Sequence, residues 1–156
     1  MSDVMEIPKP DVCRVDFGQP TKEEERKIKE ILKMKTIAVV GISPKETRPS
    51  NDVARYMLNH GYDVIPVRPA SREILGRKCY RDLESIDRPV DVVDVFRRSE
   101  YCPEIAKKAV KIGAKALWLQ EGVISEEAKR IAEEAGLLVI MDYCLKKAHQ
   151  KYSKGL

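Results

Sequence analysis

Short apolar runs alternate with amphipathic segments along most of this 156-residue chain. The runs TIAVV, DVIPV, VDVVDVF, AKALWLQ and LLVIMD are typical of strands that are covered on both faces in a parallel sheet. The segments between them, such as SNDVARYMLNHG and SEEAKRIAEEAG, combine helical periodicity with capping residues and a terminal glycine. This order predicts an α/β fold with one open, doubly wound, mainly parallel sheet of about five to six strands, flanked by helices.

The sequence divides into an arm, one domain and a tail. Residues 1–20 contain three prolines and no periodicity, so we expect an extended N-terminal arm. Residues 21–149 form the domain, which begins with a helix opened by the capping box of Thr21 and Glu24. Residues 150–156 form a polar C-terminal tail. The irregular part of the domain predicts a small edge strand near Lys78 to Tyr80 and a helical turn near Leu83 to Ile86.

Composition limits the class of function. Hydrophobic residues make up 43% and charged residues 35% of the chain, as in soluble globular proteins. No apolar run approaches the roughly 20 residues of a spanning helix and no signal peptide is visible, so we expect a cytoplasmic protein with no membrane partner. The net charge of +4 arises from interleaved basic and acidic residues, which favours a small polyanion over nucleic acid. Abundant Lys and Glu resemble the composition of thermophile proteins.

The loop GISPKETRPSND lies directly after a strand and before a helix, where parallel α/β sheets bind ligands. It has one glycine, Gly41, where dinucleotide-binding folds place three. Ser43, Ser50 and Asn51 supply hydroxyl and amide groups, and Arg48 supplies a guanidinium group, so the loop favours a phosphate. The alternative is a tight turn in which Ser50 or Asn51 only caps a helix that opens at Ser50.

Two further strands end in basic residues. At the end of the second strand stand Val67, Arg68 and Pro69. An NAD-binding fold would place an acidic residue there, so NAD is disfavoured, whereas an arginine suits the ribose phosphate of NADP or of coenzyme A. The fourth strand is followed by Phe96, Arg97 and Arg98. Phe96 offers a flat wall for adenine, and one of the two arginines offers a further phosphate contact.

The residue pattern indicates neither a catalytic arrangement nor a metal site. No nucleophile with an adjacent base and no carboxylate pair is indicated, and we expect Asp94 to cap or face a neighbouring helix. The four cysteines lack the C-x-x-C spacing of zinc sites and redox dithiols, which is typical of reduced thiols. The strand ends add three weaker candidates for a binding pocket, which are Gln120, Gly122 and Cys144.

Four stretches of the chain carry a resemblance to a known family, and they are IAVVGISPKETRPSNDVARYMLNHGYDVIPVRP, ILGRKCYRDLESI, VDVVDVFRRSEYCPEIAKKAVKIGAKALWLQEGV and AGLLVIMDYCLKKAH. Together they resemble the small, single-domain CoA-binding proteins, which are relatives of the CoA-binding domains of succinyl-CoA synthetase α subunits and of acyl-CoA synthetases. The resemblance implies a Rossmann-like fold that binds coenzyme A, with the first loop around the pyrophosphate and the segment after the second strand beside the adenosine. The implied contacts are Gly41, Ser43, Arg48, Pro49, Ser50, Val67, Arg68 and Pro69, followed by Phe96 and Arg97.

Two positions depart from the family pattern. Arg68 stands where the family commonly has the asparagine of Val-Asn-Pro, so a charge replaces an amide beside the adenosine. Tyr143 stands where the family commonly has the arginine of Met-Asp-Arg-Cys. The larger synthetases also carry a phosphorylatable histidine in a second domain, and we expect neither His60 nor His149 to replace it.

Three functional hypotheses follow. The first is a module that binds coenzyme A or an acyl-CoA without chemistry of its own, as a homodimer or with a partner enzyme subunit. The second is an NADP-type oxidoreductase, which the single loop glycine and the short chain disfavour. The third is a redox protein in which Cys144 forms a mixed disulfide with coenzyme A. The alternative for Cys144 is a small buried hydrophobe.

Overall fold

The computed structural model describes residues 20–154, so the predicted N-terminal arm lies outside the described residues except at Pro20. The helices are α1 Lys22–Leu32, α2 Pro49–Asn59, α3 Cys102–Lys111, α4 Glu126–Glu134 and α5 Leu145–Tyr152. The strands are β1 Thr36–Val40, β2 Asp63–Val67, β3 Glu73–Ile74, β4 Arg77–Lys78, β5 Val92–Val95, β6 Ala116–Leu119 and β7 Leu138–Ile140. This order confirms the predicted alternation. Within the described range, no helix is both long and apolar enough to cross a bilayer.

The main sheet is parallel, with strand order β2-β1-β5-β6-β7. β1 lies between β2 and β5, and its last residue, Val40, pairs with Val67 on one side and Val95 on the other. The carboxyl ends of these three strands therefore meet at one edge. Because the strand order reverses at β1, the connections after β1 and β5 lead to helices on opposite faces of the sheet, α2 and α3, and such a reversal is where ligands bind in these sheets.

Helices cover both faces of this sheet. α1, α2 and α5 pack on one face and α3 and α4 pack on the other. The adjacent residues Leu117 and Trp118 of β6 are both fully buried, one in each layer. The indole Nε1 of Trp118 donates a hydrogen bond to the carbonyl of Tyr143 at 2.7 Å. Two buried layers of this kind explain why the strands lack alternating polarity.

The starts of two helices confirm their predicted caps. The hydroxyl of Thr21 accepts a hydrogen bond from the Glu24 amide at 3.1 Å, and the Glu24 carboxylate accepts one from the Thr21 amide at 2.9 Å. The hydroxyl of Ser125 accepts a hydrogen bond from the Ala128 amide at 3.1 Å at the start of α4. These three hydrogen bonds satisfy amides at the helix starts that the helices themselves leave unpaired.

The predicted start of α2 is wrong. The helix begins at Pro49 with Arg48 as its N-cap residue, and neither Ser50 nor Asn51 caps it. Proline suits the first helical position because it has no amide hydrogen to leave unpaired and its φ angle is already helical. Ser50 and Asn51 consequently lie in the first turn, where both are buried.

The segment between β2 and β5 covers the outer edge of β2. β3 and β4 pair antiparallel, and a short 3-10 turn follows at Leu83–Ser85, near the predicted positions. The Tyr80 amide donates to the carbonyl of Pro66 at 2.9 Å, and the Arg68 amide donates to the carbonyl of Tyr80 at 2.8 Å. These bonds pair backbone groups at an exposed sheet edge, where they would otherwise be open to another chain.

Candidate functional site

Gly41 lies at the point where the loops after β1 and β5 touch. Its φ angle is +84°, and a Cβ atom there would lie 2.8 Å from Cδ of Arg97 and 3.2 Å from the carbonyl oxygen of Phe96. Both the backbone conformation and the short distances require glycine. The glycine therefore lets two loops from neighbouring strands approach each other at the carboxyl edge of the sheet.

The loop after Gly41 is held in shape by its own polar side chains. The Ser43 amide donates to the hydroxyl of Ser50 at 2.9 Å, and the Asn51 side-chain amide donates to the carbonyl of Ser43 at 2.9 Å. Arg55 donates to the side-chain oxygen of Asn51 at 3.0 Å. Asn51 thus holds the loop together from inside. Ser43 and Ser50 also hold the loop together, and in addition they line its surface.

A cleft of about 460 Å³ lies over this loop, and we call it the polar cleft. It is lined by Gly41, Ser43, Pro44, Lys45, Arg48, Pro49, Ser50, Arg68 and Phe96. The lining contains three cationic side chains and no carboxylate. The amino-terminal end of α2 also faces this loop, and its dipole is positive at that end. The cleft is therefore suited to a group with negative charge.

Arg68 contributes to the polar cleft from the end of β2. One of its terminal nitrogens lies 3.4 Å from the carbonyl oxygen of Ile42. Its Nε atom is buried without a hydrogen-bond partner in the described part of the chain. A buried donor without a partner is unfavourable, so an acceptor that enters the cleft and reaches this guanidinium would be stabilised.

A second cleft, of about 400 Å³, lies on the other side of Gly41, and we call it the apolar cleft. It is lined by Val40, Gly41, Val67, Pro69, Arg81, Asp82, Leu83, Arg97, Tyr101, Glu104, Ile105 and Lys108. The guanidinium carbon of Arg97 lies 4.4 Å from the ring centroid of Tyr101. Because Gly41 belongs to both linings, the two clefts lie next to each other at the carboxyl edge of the sheet, and we call the pair the groove.

Sequence reasoning missed most of the apolar cleft. Its unexpected members lie on the 3-10 turn after β4 and along the start of α3. Tyr101, Ile105 and Lys108 are spaced by four and three residues, which places them on one side of a helix. That spacing was the available signal, because Tyr101 stands three residues after Arg98 and directly before α3.

Five predicted site residues do not line either cleft. They are Asn51, Arg98, Gln120, Gly122 and Cys144. Gln120 is buried and donates to Asp94 at 2.7 Å, and the Gly122 amide donates to the carboxylate of Asp142 at 2.8 Å. Burial raises the pKa of the Cys144 thiol above its usual value, against the effect of the nearby Lys147 and Lys146 amides. That direction disfavours the reactive thiolate.

Asp94 is the most perturbed titratable group near the site. Its side chain in β5 is fully buried, with Oδ1 bonded to Gln120 and Oδ2 without a partner in the described structure. Burial raises the pKa of this carboxyl from 3.8 to about 8. Asp94 is therefore a neutral acid at pH 7, and the expectation that it caps or faces a helix missed its burial.

Comparison with known proteins finds similarity over most of the chain. A model of the CoA binding domain matches residues 35–150. The uncharacterized protein YneT of Bacillus subtilis is 46% identical over 131 residues, which cover 83% of this chain and 95% of YneT. A hypothetical protein from Pyrococcus horikoshii OT3 has a similar structure, with a TM-score of 0.78 and 39% identity, covering 94% of this chain and 98% of that one.

A larger enzyme contains a similar region. ADP-forming acetate–CoA ligase I of Archaeoglobus fulgidus is 26% identical over 121 residues, which cover 71% of this chain and 18% of the ligase. The chain thus spans less than a fifth of that relative. Among the described residues, no group of three or more His, Cys, Asp or Glu side chains is arranged to hold a metal ion.

Proposed function

We propose that this chain, which belongs to the CoA binding domain family, binds coenzyme A or an acyl-CoA along the groove formed by the polar and apolar clefts. The observation that carries the proposal is the junction at Gly41. On one side of it lie three cations and a helix amino terminus. On the other side lie apolar side chains, three further cations and the carboxylates of Asp82 and Glu104. Coenzyme A matches this arrangement, because its phosphate groups are attached next to a flat adenine ring.

In this proposal the polar cleft receives the pyrophosphate. Ser43 and Ser50 offer hydroxyl groups, and Arg48 sits at the start of α2 where negative charge is favoured. Arginine matches phosphate geometry because its guanidinium presents parallel N–H donors. The unpartnered Nε atom of Arg68 supports a further acceptor at the same place.

The apolar cleft then receives the adenosine. Apolar contact comes from Val67, Pro69 and Ile105. The guanidinium group of Arg97 lies over the Tyr101 ring in a cation–π contact. Arg81 and Lys108 also line this cleft, and their positive charge suits the 3′-phosphate. NADP also carries a ribose phosphate, so the ligand must be discriminated by experiment rather than by charge.

Titration calorimetry with coenzyme A, dephospho-coenzyme A, ADP and NADPH tests the proposal. We expect coenzyme A to bind most tightly. Dephospho-coenzyme A should bind with lower affinity because it lacks the 3′-phosphate that the protein contacts. The change Arg48→Ala should weaken coenzyme A by about 10- to 100-fold, the range for a hydrogen bond to a charged group. Equal binding of all four ligands, or binding of none, would contradict the proposal.

The neighbouring arginines after β5 provide a matched control. Arg97 lines the apolar cleft and Arg98 does not. The change Arg97→Ala should weaken the binding of coenzyme A, whereas Arg98→Ala should leave the affinity for coenzyme A within about twofold of that of the parent. Equal effects would show that general positive charge, and not the groove, attracts the ligand.

We propose binding without group transfer for this chain, with any chemistry supplied by a partner enzyme subunit. The support is the similarity to one region of a much larger ligase. Incubation of the chain with acetyl-CoA should leave the thioester intact over hours, as measured by chromatography. The mixed disulfide at Cys144 is less well supported, because the thiol lines neither cleft and its pKa is raised.

A further inference from the structure

The chain has two histidines, and both lie in one cluster at the edge of the sheet opposite the groove. His60 is the C-cap residue of α2, and His149 lies in the last turn of α5. Their ring centroids are 5.0 Å apart with an interplanar angle of 62°. The Tyr56 ring stacks on His60 at 4.0 Å and meets His149 edge-on at 5.3 Å.

Tyr56 occupies the same nitrogen on both imidazoles. Nδ1 of His60 lies 2.7 Å from the Tyr56 carbonyl oxygen, and a carbonyl only accepts, so this Nδ1 carries the proton. Nδ1 of His149 lies 2.8 Å from the Tyr56 hydroxyl. In the described residues no hydrogen bond engages Nε2 of either ring. Metal-binding histidines commonly donate the N–H of their other ring nitrogen to such a partner, and a metal-bound His149 would donate from Nδ1 to the Tyr56 hydroxyl oxygen.

The distance between the rings fits one shared metal ion. A metal ion binds imidazole nitrogen at about 2.0–2.1 Å, and two imidazoles at a tetrahedral angle then have centroids about 5 Å apart. The observed separation is 5.0 Å. Stacking against Tyr56 restricts the His60 ring, which lowers the entropy lost when that ring is fixed by a bound ion.

The surrounding cleft favours a cation. It has a volume of about 310 Å³ and is lined by Leu32, Lys33, Met34, Lys35, His60, Gly61, Tyr62, His149 and Ser153. The lining includes the C-cap residues of α1, α2 and α5, which are Lys33, His60 and Ser153. Helix carboxyl ends carry partial negative charge, so three of them lower the electrostatic potential at one place.

We propose that His60 and His149 together bind one divalent transition-metal ion through their Nε2 atoms, with water completing the coordination. Imidazole ligands select zinc, copper and nickel over magnesium and calcium. The exposed Lys33 and Lys35 side chains oppose the ion, but their ammonium groups sit in solvent, where charge repulsion is weak. The ion would join α2 to α5 at the end of the molecule far from the groove.

Nitrogen-15 NMR of the imidazole rings tests the proposal directly, because the chain contributes only two histidines. Titration of the full chain with Zn²⁺ should shift the Nε2 resonances of both rings together, with one ion per chain. Calorimetry should show that His60→Gln and His149→Gln each weaken Zn²⁺ by at least about tenfold. A shift in one ring only, or a single variant with unchanged affinity, would overturn the shared site.

Two control variants separate the metal site from its alternatives. Lys33→Gln should tighten Zn²⁺ because it removes a repelling charge, whereas it would weaken an anion in the same cleft. Binding of inorganic phosphate there, lost in Lys33→Gln, would therefore replace the proposal. Cys144→Ser should leave Zn²⁺ affinity unchanged, and a loss would assign the ion to thiols. These results are independent of coenzyme A, since the groove lies at the opposite edge of the sheet.

Discussion

Replacing Asp94 with asparagine should raise the stability of the protein at neutral pH. The unfolded chain releases the Asp94 proton near pH 3.8, but the folded protein holds it until about pH 8 because the carboxyl is fully buried. Between these two pH values, ionisation of the Asp94 carboxyl stabilises the unfolded state, whereas the same carboxyl stays protonated in the folded state. The free energy of unfolding therefore falls by about 1.4 kcal/mol per pH unit over this interval.

The accumulated effect at pH 7 is at most about 4 kcal/mol relative to pH 3.8. Asparagine has nearly the same shape, cannot ionise, and keeps an oxygen for the Gln120 donor. Its amide nitrogen would lack an acceptor, which costs about 1 kcal/mol or more, much as the partnerless carboxyl oxygen does now. We expect Asp94→Asn to be nearly neutral at pH 4 and more stable than the parent by up to about 5 kcal/mol at pH 8.

Urea denaturation at one-unit intervals from pH 4 to pH 9 measures this difference. The two stability curves should diverge as pH rises and run parallel above about pH 8, where both states of the parent are ionised. Asp91→Asn is the matched control in the adjacent segment. Burial alone would raise the pKa of Asp91, but hydrogen bonds from the Thr36 and Lys35 amides lower it. That variant should be less stable than the parent above pH 4. Stability curves for the parent and Asp94→Asn that stay parallel from pH 4 to pH 8 would refute a buried neutral acid.

Three further changes test the groove and the packing around it. Gly41→Ala should weaken coenzyme A by at least about tenfold in calorimetry and destabilise the fold by about 1–2 kcal/mol, because φ is +84° and the new Cβ displaces Arg97; unchanged affinity would argue against the junction. Ser125→Ala should cost about 1 kcal/mol of stability in urea and leave coenzyme A affinity unchanged, since it removes only the cap of α4. Trp118→Phe should cost about 2–4 kcal/mol in urea, from lost volume and the unpaired Tyr143 carbonyl, and a cost below about 1 kcal/mol would contradict its role in the core.

The sequence was sufficient for the architecture because its signals are local and repeated. β2 matches the predicted run DVIPV residue for residue, and Ser125 caps α4 as expected. The start of α2 was missed because capping preferences favour Ser and Asn, while the adjacent Pro49 decided the position instead. Local rules compete at such a point, and only the folded loop shows which one prevails.

The groove was only half visible in the sequence. Strand ends indicated Gly41, Arg68 and Arg97, which the structure does bring to one edge. The apolar cleft depends on how α3 is rotated against the sheet, and no single strand-end rule gives that rotation. The burial of Asp94 was similarly hidden, because a lone acidic residue in a short apolar strand can face either layer until its partners are known.

The central position of β1 has a consequence for biosynthesis. The groove needs β2 on one side of β1 and β5 on the other, and the Ile37–Val92 pairing joins positions far apart in the chain. Its outer wall also needs Lys108 on α3. A nascent chain therefore has no complete groove until the ribosome has released α3, so ligand capture during translation would mark the moment when this half of the sheet has assembled.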